Sequence, residues 1–147
     1  MDIKIHATPD RLERYSFLWS MARLFLAAGA MFIGGYPVAT RILPIPLTGS
    51  LLILCWLISG IVSVYLAYRW NVDGQKLFGK KDTLDKAVFF VTVVSGVNLG
   101  LVPILSQNIG MSIAYGKGVF LITGLVYLYC AYHLLKRWKA HGERVFF

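Results

Sequence analysis

Charged side chains are scarce in this chain, and acidic ones are the scarcest. Only 15% of the 147 residues are charged, with 7 acidic against 15 basic side chains, while 57% are hydrophobic. This composition leaves too little polar surface to cover a globule in water. It therefore excludes a soluble domain and indicates a protein that lies in a lipid bilayer.

The long apolar segments also lack the groups with which membrane proteins usually do chemistry. All seven acidic residues fall outside these segments, which disfavours proton-coupled transport and cation conduction. The three histidines cannot supply paired haem ligands, and no cysteine and histidine spacing matches a zinc site. Nothing pairs a serine or cysteine nucleophile with a histidine base at membrane depth. We therefore expect no enzyme activity, no cofactor and no metal.

Four apolar segments are long enough to cross a bilayer, which requires about 20 residues in a helix. They span roughly residues 24–40, 48–68, 87–106 and 113–135. Residues 8–22 mix arginines with large apolar side chains and predict a short interfacial helix ahead of the first span. The prolines at positions 37, 44 and 46 predict a stiff, extended outer turn. The expected fold is all-α, with four transmembrane helices in a single membrane domain, residues 1–147.

An internal repeat relates the two halves of the chain. Residues 57–68, LISGIVSVYLAY, resemble residues 121–132, LITGLVYLYCAY, at a shift of 64 positions. The repeat predicts two parallel helical hairpins related by a pseudo-two-fold axis along the membrane normal. The first hairpin, with its interfacial helix, covers residues 1–69, a cytoplasmic loop covers 70–86, and the second hairpin with a basic tail covers 87–147.

The distribution of basic residues predicts the orientation. If both termini are cytoplasmic, every lysine and arginine except Arg41 and Lys117 lies on the inner side. This predicts a multi-pass protein of a bacterial-type inner membrane, and the net charge of +8 favours anionic lipids rather than nucleic acid as its partner. The cations expected at the lipid headgroups are Arg23, Arg69, Lys76, Lys80, Lys81, Lys136, Arg137 and Lys139.

Small residues recur at corresponding places in both halves, where they would let helix backbones approach closely. The predicted helix-packing residues are Ala30, Gly34, Gly60, Gly96, Gly100 and Gly124. Such faces also suit contacts with a second copy or with a larger membrane complex. The pattern therefore predicts an oligomeric, accessory or scaffolding subunit that has no chemistry of its own.

Asn98 is the most polar side chain deep within any predicted span. A buried amide in lipid needs partners, so it should bond across helices or line a small polar cavity. Near the outer surface, Gln107, Asn108 and Lys117 are candidates for contact with an anion or a headgroup. These four residues support an alternative function, a passive channel or small-solute transporter with a polar path near Asn98.

The stretch SGVNLGLVPI at residues 95–104, followed by a short turn and the apolar run GVFLITGLVYLYCAYHLL at 118–135, resembles a family of small bacterial two-span proteins. Gly96, Asn98, Gly100 and Leu101 match that family's Gly-x-Asn-x-Gly-Leu core, while Leu99 stands where the family tends to have tryptophan and Pro103 departs from the pattern. The resemblance covers roughly residues 87–135. It implies a fused tandem of the hairpin with a degenerate first copy, and it implies no activity, because that family has none assigned.

Overall fold

Helices make up most of the structure, a computed structural model that describes residues 8–42 and 45–147. In chain order they are α1 Pro9–Phe32, α2 Ala39–Ile42, α3 Ile45–Val72, α4 Thr83–Leu105, α5 Ile109–Ile113 and α6 Lys117–Ala140. Four of them, α1, α3, α4 and α6, are long and apolar enough to cross a membrane. The structure therefore confirms an all-α fold with four candidate membrane-spanning helices. Residues 1–7 of the predicted first hairpin lie outside the described residues.

The four long helices form one bundle whose closest contacts do not lie within the predicted hairpins. Helix α3 packs most extensively against α4, and α1 packs next most extensively against α6. The contacts of α1 with α3 and of α4 with α6 are less extensive. We call α1 and α6 the first helix pair, and α3 and α4 the second helix pair.

Large apolar side chains cover the outside of the bundle, as expected where hydrocarbon is the solvent. Examples from the four long helices, each more than half exposed, are Leu26, Ile61, Val94 and Ile122. In water such a surface would associate or aggregate. In a bilayer it is the ordinary lipid-facing surface, and it supports a multi-pass membrane protein.

Helix α1 starts much earlier than the predicted first span. Instead of an interfacial helix followed by a span at 24–40, one continuous helix runs from Pro9 to Phe32. Pro9 begins it, because proline's fixed φ suits the first turn. It ends at a glycine cap in which the Gly35 N–H donates to the Ala30 carbonyl and Gly34 has a φ of +91°. The span is thus shifted toward the N-terminus, which places Arg23 well inside the helix.

The predicted extended outer turn is only partly extended. A short helix, α2, occupies residues 39–42, and the Thr40 hydroxyl donates to the Pro37 carbonyl across 2.7 Å. Proline restricts mainly itself and the residue before it, so the proline-free residues 38–42 remain able to form a helical turn. Pro44, the second proline of that prediction, lies outside the described residues.

The loop between α3 and α4 and the C-terminal tail pack together at one end of the bundle, which we call the basic end. Leu77 and Phe78 of the loop are fully buried, and the Phe78 N–H donates to the Val145 carbonyl across 2.7 Å. The tail turns back after α6 ends at Ala140, with Gly142 at a φ of +66°. The start of α1 lies at the same end, since Arg14 pairs with Glu143 at 2.7 Å.

Glycines allow close helix contacts at some of the predicted packing positions. A Cβ on Gly60 of α3 would lie 2.9 Å from the Gly100 Cα of α4, so these two backbones touch. A Cβ on Gly124 of α6 would meet the Phe32 ring at 2.7 Å. Gly34 was expected on a helix face, but this prediction is wrong, because the residue lies in the turn after α1. Ala30, the other small residue predicted in this segment, lies in the last turn of α1 and is partly buried.

Candidate functional site

Arg23 lies inside the bundle, and the prediction that it reaches the lipid headgroups is wrong. Its side chain crosses from α1 to α4, where Nη1 donates to the Ser95 hydroxyl at 2.9 Å and Nη2 donates to the Thr92 carbonyl at 2.7 Å. The residue is 6% exposed. At a rise of about 1.5 Å per residue it lies about 20 Å from the start of α1 and about 14 Å from its end, so it belongs to the body of the helix, where its bonds to α4 hold it inside the protein.

Hydroxyl side chains of the other three long helices lie beside this guanidinium, and Ser20 lies one turn earlier on the face of α1 that carries Arg23. Thr92 donates its own hydroxyl to the Val88 carbonyl of the same helix, and the Tyr127 hydroxyl lies in hydrogen-bonding contact with Ser95. We call this set the polar layer, and its members are Ser20 and Arg23 of α1, Ser63 of α3, Thr92 and Ser95 of α4 and Tyr127 of α6.

Several donors of the polar layer have no hydrogen-bond partner within the described part of the chain. They are the Arg23 Nε and the hydroxyls of Ser20 and Ser63, and both serines are fully buried. Leaving one such group unpaired away from water costs about 1–3 kcal/mol. The polar layer therefore holds three buried groups that can donate to a ligand's acceptor oxygens, although the two hydroxyls can also accept.

A glycine in α4 makes room for the polar layer. A Cβ at Gly96 would lie 3.1 Å from the Arg23 Cζ and would collide with the Ser63 hydroxyl. Both groups therefore reach the same point on the α4 backbone, one from α1 and the other from α3. Gly96 was predicted as a packing residue, and its contacts here are polar.

No carboxylate pairs with Arg23 among residues 8–42 and 45–147. The salt bridges there join other residues and lie toward the basic end. An arginine buried at membrane depth usually pairs with an acid or with backbone carbonyls. Arg23 has one carbonyl and one hydroxyl, so its charge is not neutralised by any described residue.

At the basic end, Asp85 of α4 holds a histidine and an arginine of α6. It is 1% exposed, accepts Nη2 of Arg137 at 2.7 Å and lies 2.7 Å from Nε2 of His133. Arg137 also lies over the Phe78 ring at 5.4 Å. Arg137 was predicted to contact headgroups, whereas its guanidinium is mainly engaged inside the protein because Asp85 is buried within its reach.

A second buried carboxylate, Glu13 of α1, fixes the C-terminal tail. Its Oε1 accepts the N–H groups of Val145 and Phe146 at 3.0 and 3.3 Å, and its Oε2 lies 3.3 Å from Nη2 of Arg69. Arg69 also pairs with Asp73 at 3.1 Å. The prediction that Arg69 faces the headgroups is thus wrong, since two carboxylates hold its side chain.

The remaining predicted headgroup cations are placed as a lipid contact requires. These lysines are all largely exposed and lie on the basic end or close to it: Lys76, Lys80, Lys81, Lys136 and Lys139. Because these side chains are exposed, each amine can contact water or a lipid phosphate without a change in the backbone. Their contact with anionic lipid stays a prediction.

The candidate polar site at the outer end is only partly assembled. The Asn98 amide donates to the Asn108 Oδ1 at 2.8 Å, and the Gly110 N–H donates to the Asn98 Oδ1 at 3.3 Å. Asn98 thus binds the turn that carries α5 rather than another long helix. Gln107 and Lys117 are exposed at the surface and do not join this pair.

Sequence reasoning missed the polar layer, although a signal for it exists. Ser16, Ser20 and Arg23 recur at spacings of four and three, which places them on one face of a helix. That periodicity becomes visible only when residues 8–22 and the first span are treated as one continuous helix. Among the described residues, no three His, Cys, Asp or Glu side chains come together as a metal site.

The comparisons with known proteins do not identify the chain. No family model, curated protein or solved structure matches it. The resemblance to the two-span bacterial family therefore stays a prediction, and the argument for function depends on the geometry of the polar layer.

Proposed function

We propose that this protein is a small-solute carrier of the membrane, without chemistry of its own, and that the polar layer is its solute site. The observation that supports this proposal best is Arg23, a buried cation at the centre of a four-helix bundle that has no carboxylate partner among the described residues. Placing an arginine at the middle of a membrane helix costs about 2.5–3.5 kcal/mol on insertion scales. A purely structural bundle would be more stable with an apolar residue there.

The polar layer lies between the two helix pairs. In a carrier, a solute site at such an interface can be exposed to either side when one pair moves against the other. Arg23 and Tyr127 come from the first helix pair, while Ser63, Thr92 and Ser95 come from the second. The two pairs meet along the less extensive contacts of α1 with α3 and of α4 with α6. Rocking of one pair against the other would open the layer to either side in turn, as in repeat-based transporters.

The internal repeat supports this division into two pairs. A pseudo-two-fold axis that exchanges α1 with α4 and α3 with α6 also exchanges the α3–α4 contact with the α1–α6 contact. These are the two most extensive contacts of the bundle. The short outer helices α2 and α5 occupy corresponding places in the two halves. The proposed arrangement is therefore two parallel hairpins whose helices exchange partners to form the pairs.

We place the basic end in the cytoplasm, with both termini on that side. The exposed lysines of this end would contact the anionic inner leaflet, and each cation near such a surface contributes about 1 kcal/mol. Among the described basic residues, only Arg41 and Lys117 lie at the opposite end, which this orientation places outside. This orientation agrees with the positive-inside rule for a multi-pass protein of an inner membrane.

Flux through purified protein in liposomes tests the carrier proposal. Stopped-flow light scattering would follow entry of glycerol, glucose, lactate and inorganic phosphate into vesicles with and without protein. We expect at least one solute to enter faster with the wild type, and Arg23→Met to abolish the increase. Lys139→Gln, which changes an exposed cation of the same helix bundle, is the matched control. Equal entry for wild type, Arg23→Met and empty vesicles would reject the proposal.

A second candidate, the oligomeric or accessory subunit, is favoured by the exposure of α3. In the apolar stretch of α3 that could cross a membrane, only 17% of the residues are buried within the protein, against 39% in the corresponding stretches of α1 and α4. Helix α3 therefore has the largest unpartnered surface for a second copy or another membrane protein. Sedimentation equilibrium in detergent, which measures the protein mass, tests this candidate, and a monomer at all protein concentrations would argue against a homo-oligomer.

A further inference from the structure

We propose that the polar layer binds the oxyanion of a phosphate group, carried either by a membrane lipid or by a free phosphate. This inference rests on the proposed carrier function and names its substrate class. The evidence is a buried, unpaired Arg23 Nε together with two unpaired serine hydroxyls of α1 and α3. No described carboxylate supplies an acceptor to this guanidinium.

One edge of the Arg23 guanidinium is left for a ligand. The two terminal nitrogens, Nη1 and Nη2, are bonded to α4, whereas Nε belongs to the other edge and has no described partner. A guanidinium has five N–H donors in a planar fork and binds phosphate or carboxylate through two parallel hydrogen bonds. Nε and Nη2 form the edge that can act as such a fork, and Nε is its unpaired member.

Two serine hydroxyls complete the donor set from different directions. Ser20 lies one turn before Arg23 on the same face of α1, and Ser63 approaches from α3. Both are fully buried, and neither hydroxyl has a described partner. Donors contributed by two helices, α1 and α3, suit the several oxygens of a tetrahedral phosphate better than the two coplanar oxygens of a carboxylate.

The electrostatics of the position favour an anion over a neutral solute. Arg23 stays charged because the guanidinium does not lose its proton in proteins. Within a low-dielectric interior, an anion near this charge is held much more strongly than it would be in water. Tyr127, which adjoins the layer from α6, provides a further hydroxyl beside Ser95.

Binding is tested with two probes that separate the sources of the phosphate. Wild-type protein in a neutral detergent would be titrated calorimetrically with sodium phosphate, and in a second arm with phosphatidylglycerol in mixed micelles, against phosphatidylcholine as background. We expect saturable binding of one of the two probes. Binding of free phosphate identifies a soluble substrate, and binding only of phosphatidylglycerol identifies a lipid headgroup. Binding of neither probe would overturn the proposal.

The variants test whether the polar layer is the site. Arg23→Lys keeps the charge but loses the fork, and Ser20→Ala with Ser63→Ala removes only two hydroxyls that have no described partner. We expect each to raise the dissociation constant by about tenfold or more, the factor that one or two charge-assisted hydrogen bonds provide. Unchanged affinity in the double serine variant, which should fold as the wild type does, would overturn the proposal. Ser112→Ala, at an exposed position of α5, is the control and should bind normally.

Binding and flux together distinguish the two proposals. Phosphate-group binding that needs Arg23, without any flux in liposomes, would retain the oxyanion site and reject the carrier. Flux of a neutral solute with no phosphate binding would retain the carrier and reject the oxyanion site.

Discussion

The Arg23 guanidinium of α1 donates to the Thr92 carbonyl of α4 across 2.7 Å, and this bond joins helices that otherwise barely touch. The Thr92 carbonyl also accepts the Ser95 hydroxyl at 3.0 Å. A carbonyl that accepts two side-chain donors marks the place where the α4 backbone takes part in the polar layer. The two helix pairs are thus connected by polar groups at this layer, in addition to the apolar core that α1 and α6 share with α3 and α4.

Gly60→Val in α3 should destabilise the protein, because a side chain there would push against the α4 backbone at Gly100. Overpacking of this kind costs about 1–3 kcal/mol. The measurement is thermal unfolding in detergent, followed by circular dichroism. Gly49→Val, in the same helix with nothing within 4 Å of the added Cβ, is the control. Equal melting temperatures for the two variants would contradict close α3–α4 contact.

Asp85→Asn should weaken the side-chain contacts between α4 and α6 and so lower the free energy of unfolding. The change leaves Arg137 and His133 without their buried carboxylate, and hydrogen bonds to charged groups contribute about 1.5–3 kcal/mol. Denaturant unfolding in mixed micelles measures the loss. Glu143→Gln breaks the exposed pair with Arg14 and should cost less than about 1 kcal/mol. A larger loss for Glu143→Gln than for Asp85→Asn would exclude this assignment.

The start of α4 should depend on pH through Asp82. The Asp85 N–H donates to the Asp82 carboxylate at 2.9 Å and lowers the pKa of Asp82 below its ordinary value. A carboxyl whose folded pKa is lowered stabilises the fold at neutral pH, and this stabilisation disappears as the pH falls through the folded pKa. Amide exchange at the first turn of α4, measured from neutral to acidic pH, tests this. Asp82→Ser retains a capping oxygen that does not titrate, so the pH dependence should shrink in that variant.

Asn98→Leu should release the outer turn while leaving the polar layer intact. The change removes the hydrogen bonds to Asn108 and Gly110, each worth roughly 1 kcal/mol. Hydrogen exchange of residues 106–116 should accelerate, while any solute flux should persist. Gln107→Leu, at an exposed neighbouring position, should leave exchange unchanged. Loss of flux in Asn98→Leu, with hydrogen exchange as in the wild type, would indicate that the solute path runs past Asn98 rather than through the polar layer.

Cysteine labelling tests the orientation. In a Cys55→Ala, Cys130→Ala background, Lys139→Cys should react with a membrane-impermeant maleimide only after the cytoplasmic side is opened. Lys117→Cys should react from the outside in intact cells, because it begins α6 at the opposite end of the bundle. Reversed labelling would place the basic end outside.

The number and type of the spanning helices could be read from the sequence, because length and hydropathy decide whether a segment can cross lipid. For the second, third and fourth spans, the predicted first and last residues differ from the helix ends in the structure by only a few residues. The first span differs by more, because the charged residues between Pro9 and Arg23 resemble an interfacial segment. Glu13 and Arg23 are buried only through partners far along the chain, the tail backbone and α4 respectively. No local pattern contains those partners.

By itself, the sequence determined that this is a helical membrane protein with four apolar spans and one strongly basic end, since those properties follow from composition and order along the chain. The tertiary structure decided which cations face lipid and which are internal. In the sequence, nothing distinguishes Arg23, Arg69 and Arg137 from the lysines that prove to be exposed. In the structure, each of the three arginines binds a group contributed by another helix. Side-chain partners at long sequence separation are fixed only when the helices pack, and the polar layer exists only in that packed arrangement.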